Sequence, residues 1–489
     1  MIFSYRRETI KEKRRKTFLE NIKKQLRLRV PAKASMWYIA SSVIAKGVGA
    51  LSTPIFTRLL TPEEYGLYPL YNTWLSIISV IVTLELTGGV IYRGLQKYSN
   101  KRDELISAAF GLFLTIFLPI CTLYFAFSRI INAISGLNTF IFTLMIVQIF
   151  FGTVVAFYSA KARYEYDYKS ATFINLTSAF AIPFISVALI LLVKIKSEAR
   201  IISSVLVLSV IGVFALYHIM KRSKALFDRE IWGFLLKFNL PLLPHYLSLS
   251  LILRIGEVII GRTFGTDFLG KYSVAVSIGM ALTVVTGGLL SALSPWLLRK
   301  MHSGETGRIR ELLLLIVRLL CVLCLLVLAA SPELIFILTP PEFHSALPAV
   351  YPLALSIIPL FLSNALTSAG MYYDKSYLSA MPSVISAAVS VALSLLILPR
   401  VDYRFAAVFV LVSYLIFAIL SALVYKRLSG ELPINVKDTF ISFILTLLYA
   451  VPIFLFRGVI LSRVVLSLPL LPVLFVLGKR AYPVIKERG

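Results

Sequence analysis

Three cysteines in 489 residues leave no basis for a disulfide framework. Cys321 and Cys324 make a C-x-x-C, but it lies inside the apolar run LLCVLCLLVL with no histidine or charged ligand beside it. That setting reads as packing, not as redox or metal chemistry. The four histidines, His218, His245, His302 and His344, are scattered without ligand spacing, so no metal is expected. A glycine-rich phosphate loop is missing as well, which argues against ATP hydrolysis within the chain. Charge is scarce too. Only 15% of residues are Asp, Glu, Lys or Arg, against about 25% in a soluble domain. Long polar stretches are lacking, so neither face holds a sizeable soluble domain.

What fills the chain is apolar: 58% of residues are hydrophobic and the mean hydropathy is +0.84. A helix needs about 20 apolar residues to cross the ~30 Å hydrocarbon core. Fourteen such runs are legible: 36–57, 68–92, 105–127, 139–160, 171–193, 201–220, 238–261, 271–297, 312–331, 347–370, 378–398, 404–425, 439–456 and 459–478. The formal net charge of +26 resembles a nucleic-acid signature, but its distribution says otherwise. Of the 50 Lys and Arg, 12 lie in the N-tail and 24 in the loops and C-tail of the same face; 8 lie in the opposite loops and six inside spans. That bias places both termini in the cytoplasm and speaks against nucleic-acid binding. The basic tail puts Phe18, Leu19, Ile22 and Leu26 on one helical face, as in a helix lying on anionic lipid.

The chain repeats itself. Residues 58–68 read RLLTPEEYGLY, and 204 positions later residues 262–272 read RTFGTDFLGKY. Arg58 maps onto Arg262, Glu63 onto Asp267, Gly66 onto Gly270 and Tyr68 onto Tyr272. Each copy ends one apolar run and begins the next, so spans 1–6 and 7–12 read as two related lobes of the same orientation, a pattern of transporters. The expected fold is an all-α integral membrane protein of about 14 transmembrane helices, with two six-helix lobes in parallel pseudo-repeat and two extra C-terminal helices. Its parts are a basic cytoplasmic tail (1–35), an N-lobe (36–220), a cytoplasmic linker (221–237), a C-lobe (238–425), spans 13–14 (438–478) and a cytoplasmic tail (479–489). The T-P-E-E of the first outer loop reads as a turn between spans 1 and 2.

Ionisable groups inside the membrane are expensive and point to function. Lys46 lies near the middle of span 1, on one face with Ser42, Gly49 and Thr53. Span 7 carries Ser250, Arg254, Glu257 and Gly261 at similar spacing. The 204-residue offset lays Lys46 on Ser250 and Thr53 on Glu257, so the two polar stripes coincide. A water-filled cavity between the lobes, lined by spans 1 and 7, accounts for both. The alternative is local: Arg254 and Glu257, three residues apart, pair with each other while Lys46 snorkels. Glu85, followed by Gly88 and Gly89, is either a counter-ion to Lys46 or a protonatable coupling group. Arg318 is placed to snorkel inward from span 9. Arg58 and Arg262, at outer span ends, are candidates for interface or phosphate contacts.

Three stretches carry a resemblance. These are span 1 running into RLLTPEEYGLY, LPLLPHYLSLSLILRIGEVIIGRTFGTDFLGKYSVA at 240–276, and PELIFILTPPEFHSALPAVYPLALS at 332–356. Together they resemble the polysaccharide (O-antigen type) flippases of the multidrug/oligosaccharidyl-lipid/polysaccharide exporter superfamily. The resemblance implies two lobes in a V around a central cavity open alternately to each side. It also implies a lipid-linked oligosaccharide substrate, a polyprenyl diphosphate moved from the inner to the outer leaflet for surface polysaccharide biosynthesis. Lys46 and Arg254 stand where basic cavity residues of related flippases are thought to hold the diphosphate. By the same likeness no cofactor is expected beyond a coupling ion, H+ or Na+. Membrane lipids and a polysaccharide polymerase or glycosyltransferase are the implied partners. Two other readings stay open: a cation-coupled multidrug exporter of the same superfamily, and a membrane glycosyltransferase or polymerase. The second would be an enzyme, and no outer loop is large enough for a catalytic domain.

Overall fold

The computed structural model describes residues 34–486 apart from 35, 39, 194, 304 and 371–375, so the expected amphipathic tail helix lies outside the described residues. Those described form helices and turns, with no strand among them. This is what hydrocarbon requires, because an open backbone there leaves N–H and C=O groups without partners. Twelve helices are long and apolar enough to cross a membrane, and a bent pair makes thirteen. Span numbers are kept, and the two ends are called inner and outer after the expected topology. Span 1 is Met36–Leu59, span 5 Tyr168–Val193, span 6 Ala199–Arg222 and span 7 Leu243–Thr263. Span 9 is Thr306–Leu338, span 10 Leu347–Gly370 and span 12 Phe405–Ser429, with span 13 at Val436–Leu455 and span 14 at Ile460–Lys479. Span 8, expected as one straight run, is Thr266–Gly279 followed by Thr283–Ser291, bent by 45°.

Span 2 differs most from expectation. The run expected at 68–92 is a 22-residue helix, Pro62–Thr83, and it is not among those apolar enough to qualify. Asn72, Thr73, Ser76 and Ser79 lower its hydropathy, and they have a use described below. Its start corrects the turn reading of T-P-E-E. Thr61 Oγ1 accepts from the Glu64 amide at 3.2 Å, and Glu64 Oε2 accepts from the Thr61 amide at 3.0 Å. With Pro62 in the first turn this is a capping box, worth about 1 kcal/mol, and it begins the helix six residues early. The helix stops because Leu84 (φ 47°) and Glu85 (φ 53°) are both left-handed, an uncommon and costly state for residues with a Cβ. The Asn239 amide, from the entry to span 7, donates to the Leu84 carbonyl and holds that turn.

Beyond the turn a short helix, Gly89–Lys97, packs on the linker helix Arg229–Asn239. The linker helix buries Ile231 and Leu235. Arg93 covers the Phe238 ring at 4.4 Å, and Trp232 Nε1 donates to the Ala108 carbonyl of span 3 (Arg102–Ala126) at 2.8 Å. Spans 13 and 14 pack on span 9. The buried Arg463 guanidinium holds them there, donating to both carboxylate oxygens of Glu333 and, at 2.8 Å, to the Ala329 carbonyl. Cys321 and Cys324 are buried and free; the Cys324 thiol points at the Ala354 carbonyl of span 10, 3.2 Å away.

The lobes meet chiefly where span 2 lies against spans 7 and 8. At the outer end the two halves of the repeat touch each other. A Cβ on Gly66 would overlap the Thr266 carbonyl, and a Cβ on Gly270 would overlap the Pro62 carbonyl. The glycines therefore let two backbones cross at a distance no other residue permits. Nearby, Thr57 Oγ1 donates to the Leu338 carbonyl at 2.9 Å and Arg58 Nη2 to the Ile337 carbonyl at 2.8 Å. Tyr65 meets Phe343 edge to face. The two lobes are thus in contact at this end.

Candidate functional site

Below that contact lies a cavity of about 510 Å³ between the lobes. Span 2 supplies Tyr65, Tyr68, Asn72, Ser76 and Ser79, a stripe at helical spacing. Span 8 supplies Ser273 and Ser277, span 7 supplies Arg254 and Glu257, and the first turn of span 6 supplies Arg200. Polar residues in span 2 lowered its hydropathy because this face meets the cavity and not lipid.

Glu257 is the most buried charge of the lining, 1% exposed. Arg254 Nη1 donates to its two carboxylate oxygens at 3.0 and 2.9 Å. Thr73 of span 2 donates to it from the other lobe. The local i,i+3 pairing is therefore present, and the carboxylate also latches the lobes together. A carboxylate taken out of water is tolerated only when paired and hydrogen-bonded, as this one is. The Arg254 side chain keeps 30% exposure toward the cavity.

Among the described residues, Arg200 has no such acid. Its guanidinium lies over the rings of Tyr68 at 3.9 Å, Phe56 at 4.5 Å and Tyr65 at 5.5 Å. The charge sum of the lining is therefore two arginines against one glutamate, and that glutamate is already engaged.

The other expected site residues lie elsewhere. Lys46 is exposed on span 1 and does not line this cavity. Thr53 is half-buried and its hydroxyl turns back to the Gly49 carbonyl at 3.3 Å. Ser250 is half-buried on span 7, outside the lining. The lining of this cavity comes instead from spans 2, 6, 7 and 8. Only 18% of the apolar window of span 1 is buried, and span 2 packs against span 7. Glu85 sits half-buried in the left-handed turn below span 2. Arg58 donates to the Ile337 carbonyl in the last turn of span 9, where a cation meets the negative end of the helix dipole. Arg262 and Arg318 are exposed.

Sequence reasoning missed Arg200, which had been counted among outer-loop charges. A signal existed. The same 204-residue offset lays Glu198 on Asp402 and Arg200 on Arg404, K-S-E-A-R against R-V-D-Y-R. The twins behave differently. Arg404 forks onto Asp402 at 2.7 and 2.8 Å and thereby holds that carboxyl below the usual range, whereas the Glu198 carboxylate accepts from the Ser197 hydroxyl at 3.1 Å and, among the described residues, from no cation. Among the described residues, no group of three or more His, Cys, Asp or Glu stands where it could hold a metal ion.

Residues 32–301, more than half of the chain, match the family model described as polysaccharide biosynthesis protein. No curated protein sequence matches. Among solved structures, the lipid II flippase MurJ in an inward closed conformation superposes with a TM-score of 0.66 at 13% identity, covering 92% of this chain and 99% of that one. An inward-facing multidrug resistance MATE family transporter of the MOP superfamily gives 0.64 at 14% identity, covering 79% and 95%. A MOP superfamily transporter from Pyrococcus furiosus, described as having a binding pocket of reversed polarity, gives 0.55 at 14%, covering 82% and 96%. At these identities the likeness fixes the fold, that of the MATE and MurJ proteins, and fixes nothing finer.

Proposed function

Because the chain belongs to the polysaccharide biosynthesis protein family, we propose that it is a carrier, not an enzyme, which moves a lipid-linked sugar across the cytoplasmic membrane by alternating access. The substrate class is a polyprenyl diphosphate bearing an oligosaccharide, passed from the inner to the outer leaflet. The observation that carries this reading is the inter-lobe cavity, whose two guanidiniums outnumber its one carboxylate. A diphosphate dragged bare through hydrocarbon costs tens of kcal/mol in the Born limit. Fixed cations and water between the lobes remove much of that cost while the polyprenyl tail stays in lipid. Outward movement of about two negative charges gains about 4–5 kcal/mol at 100 mV, inside negative, so the membrane potential, or an H+ or Na+ gradient, is a sufficient drive. The basic, cytoplasmic termini and a polymerase or glycosyltransferase handing over the substrate belong to the same proposal.

The multidrug exporter reading draws on the fold shared with the MATE transporters. It calls for an acid free to hold a cationic compound, and Glu257 is instead held by Arg254 and Thr73. The two readings separate in proteoliposomes. Purified protein is expected to translocate a fluorescent polyprenyl-diphosphate sugar without ATP, at least tenfold faster than protein-free liposomes. Strict ATP dependence, or transport of lipophilic cations alone, contradicts the proposal.

A further inference from the structure

Arginine at the first turn of a helix opposes the helix dipole, whose positive end lies there. Span 6 nevertheless begins with Ala199 and then Arg200. What holds Arg200 in place is the aromatic cage: Tyr68 and Tyr65 from span 2 and Phe56 from span 1. Rings stabilise a guanidinium through its faces and leave its in-plane N–H donors free. Among the described residues, no carboxylate lies within ion-pair distance of Arg200 and no acceptor takes a hydrogen bond from it. The repeat twin Arg404 is neutralised by a fork onto Asp402. Among the described residues, one half of the repeat has thus left its arginine without an acid partner at the cavity, while the other half pairs its arginine with Asp402.

We propose that Arg200, stacked on Phe56, Tyr65 and Tyr68, is an oxyanion subsite at the outer end of the cavity, taking a phosphate or carboxylate carried on the sugar head group. The inference rests on the carrier reading and adds a second cationic station to it, nearer the exit than Arg254. The guanidinium edge suits two oxygens of one oxyanion, and Tyr68, half-buried in the same lining, offers contact to the sugar beside it. Such a station gives the anionic head group a partner as the outer end opens.

The test uses the full-length protein in detergent and calorimetric titration with three soluble probes: inorganic pyrophosphate, glucuronate and glucose. Wild-type protein is expected to bind at least one of the two anions. Arg200→Ala is expected to weaken that binding at least tenfold, while Arg404→Ala changes it less than twofold. Loss of pyrophosphate binding identifies a phosphate as the ligand; loss of glucuronate binding identifies a carboxylate. Arg200→Lys, which keeps the charge but not the flat fork, is expected to retain binding weakened at least threefold, and it guards against a misfolded alanine variant. Unchanged anion binding in Arg200→Ala, equal losses in the two twins, full binding by Arg200→Lys, or no anion binding by wild type overturns the proposal. If wild type transports the lipid-linked sugar while Arg200→Ala binds normally, the subsite falls and the carrier reading stands. If Arg200-dependent binding is found but no transport, the carrier reading falls instead.

Discussion

Leucine at Gly66 or Gly270 is expected to cut transport to about a tenth of wild type or less, with the protein still inserted in the membrane. At both positions the first atom a side chain would meet is a backbone carbonyl of the other lobe, Thr266 in one case and Pro62 in the other. A flexible neighbour could swing aside, but a backbone inside a helix cannot. Overpacking of this kind costs about 1–3 kcal/mol, and it falls only on the state in which the outer ends touch. A bias of that size shifts a two-state equilibrium by roughly 5- to 150-fold, so the population moves toward the outward-open form. Two readouts check this: transport, and labelling of a cysteine at Ser277 in the cavity by an impermeant thiol reagent from outside. Labelling should rise as transport falls. Gly287→Ala, where a Cβ meets open space, should leave both unchanged. Full transport by Gly66→Leu would contradict the role given to this contact.

Arg254→Ala is expected to be the most damaging single change in the cavity itself. It leaves Glu257, almost wholly buried, with only the Thr73 hydroxyl. Breaking a buried pair by removing one partner costs about 3–5 kcal/mol, a large share of what holds any fold. Glu257→Ala should cost less, because the Arg254 side chain retains exposure and can turn into the cavity. The double variant Arg254→Ala with Glu257→Ala removes both charges, so its thermal stability should return to within about 1 kcal/mol of wild type by the same argument. Its transport should stay below about a tenth. Stability and transport thus separate the structural duty of the pair from any contact with a diphosphate. Recovered transport in the double variant would mean that Arg254 serves only to neutralise Glu257.

The repeat that joins these predictions was legible in eleven residues. Its glycines read as turn-region matches, yet nothing in one strand of sequence said they would sit on each other, because contact between lobes is not a property of local spacing. The Arg254–Glu257 pair was readable since i,i+3 neighbours share a helix face. The third partner, Thr73, was not, because it comes from span 2. Lys46 illustrates the opposite limit. Helical rise gives the depth of a residue in its span, but which neighbour its face meets depends on how the helices pack. Span 2 was legible as an apolar run at 68–92, yet the helix that forms, Pro62–Thr83, is less apolar than the other spans for a physical reason: a helix lining a polar cavity is selected for water as much as for lipid. Arg200 was hidden by the convention that charges at span ends belong to loops. Its cage comes from rings some 135 residues upstream, so only the matched pattern around Glu198 and Asp402 marked it.

The central claim is that substrate passes between two lobes whose outer ends must part. Arg58 of span 1 donates to the Ile337 carbonyl of span 9 across that end, so these positions are close enough to bridge. In a chain with Cys121, Cys321 and Cys324 replaced, Arg58→Cys and Ile337→Cys would be joined by a short, cleavable thiol cross-linker in proteoliposomes carrying the fluorescent polyprenyl-diphosphate sugar. Transport should fall to the protein-free rate when the bridge forms and return when the linker is cleaved. Undiminished transport with the bridge intact would contradict passage between the lobes.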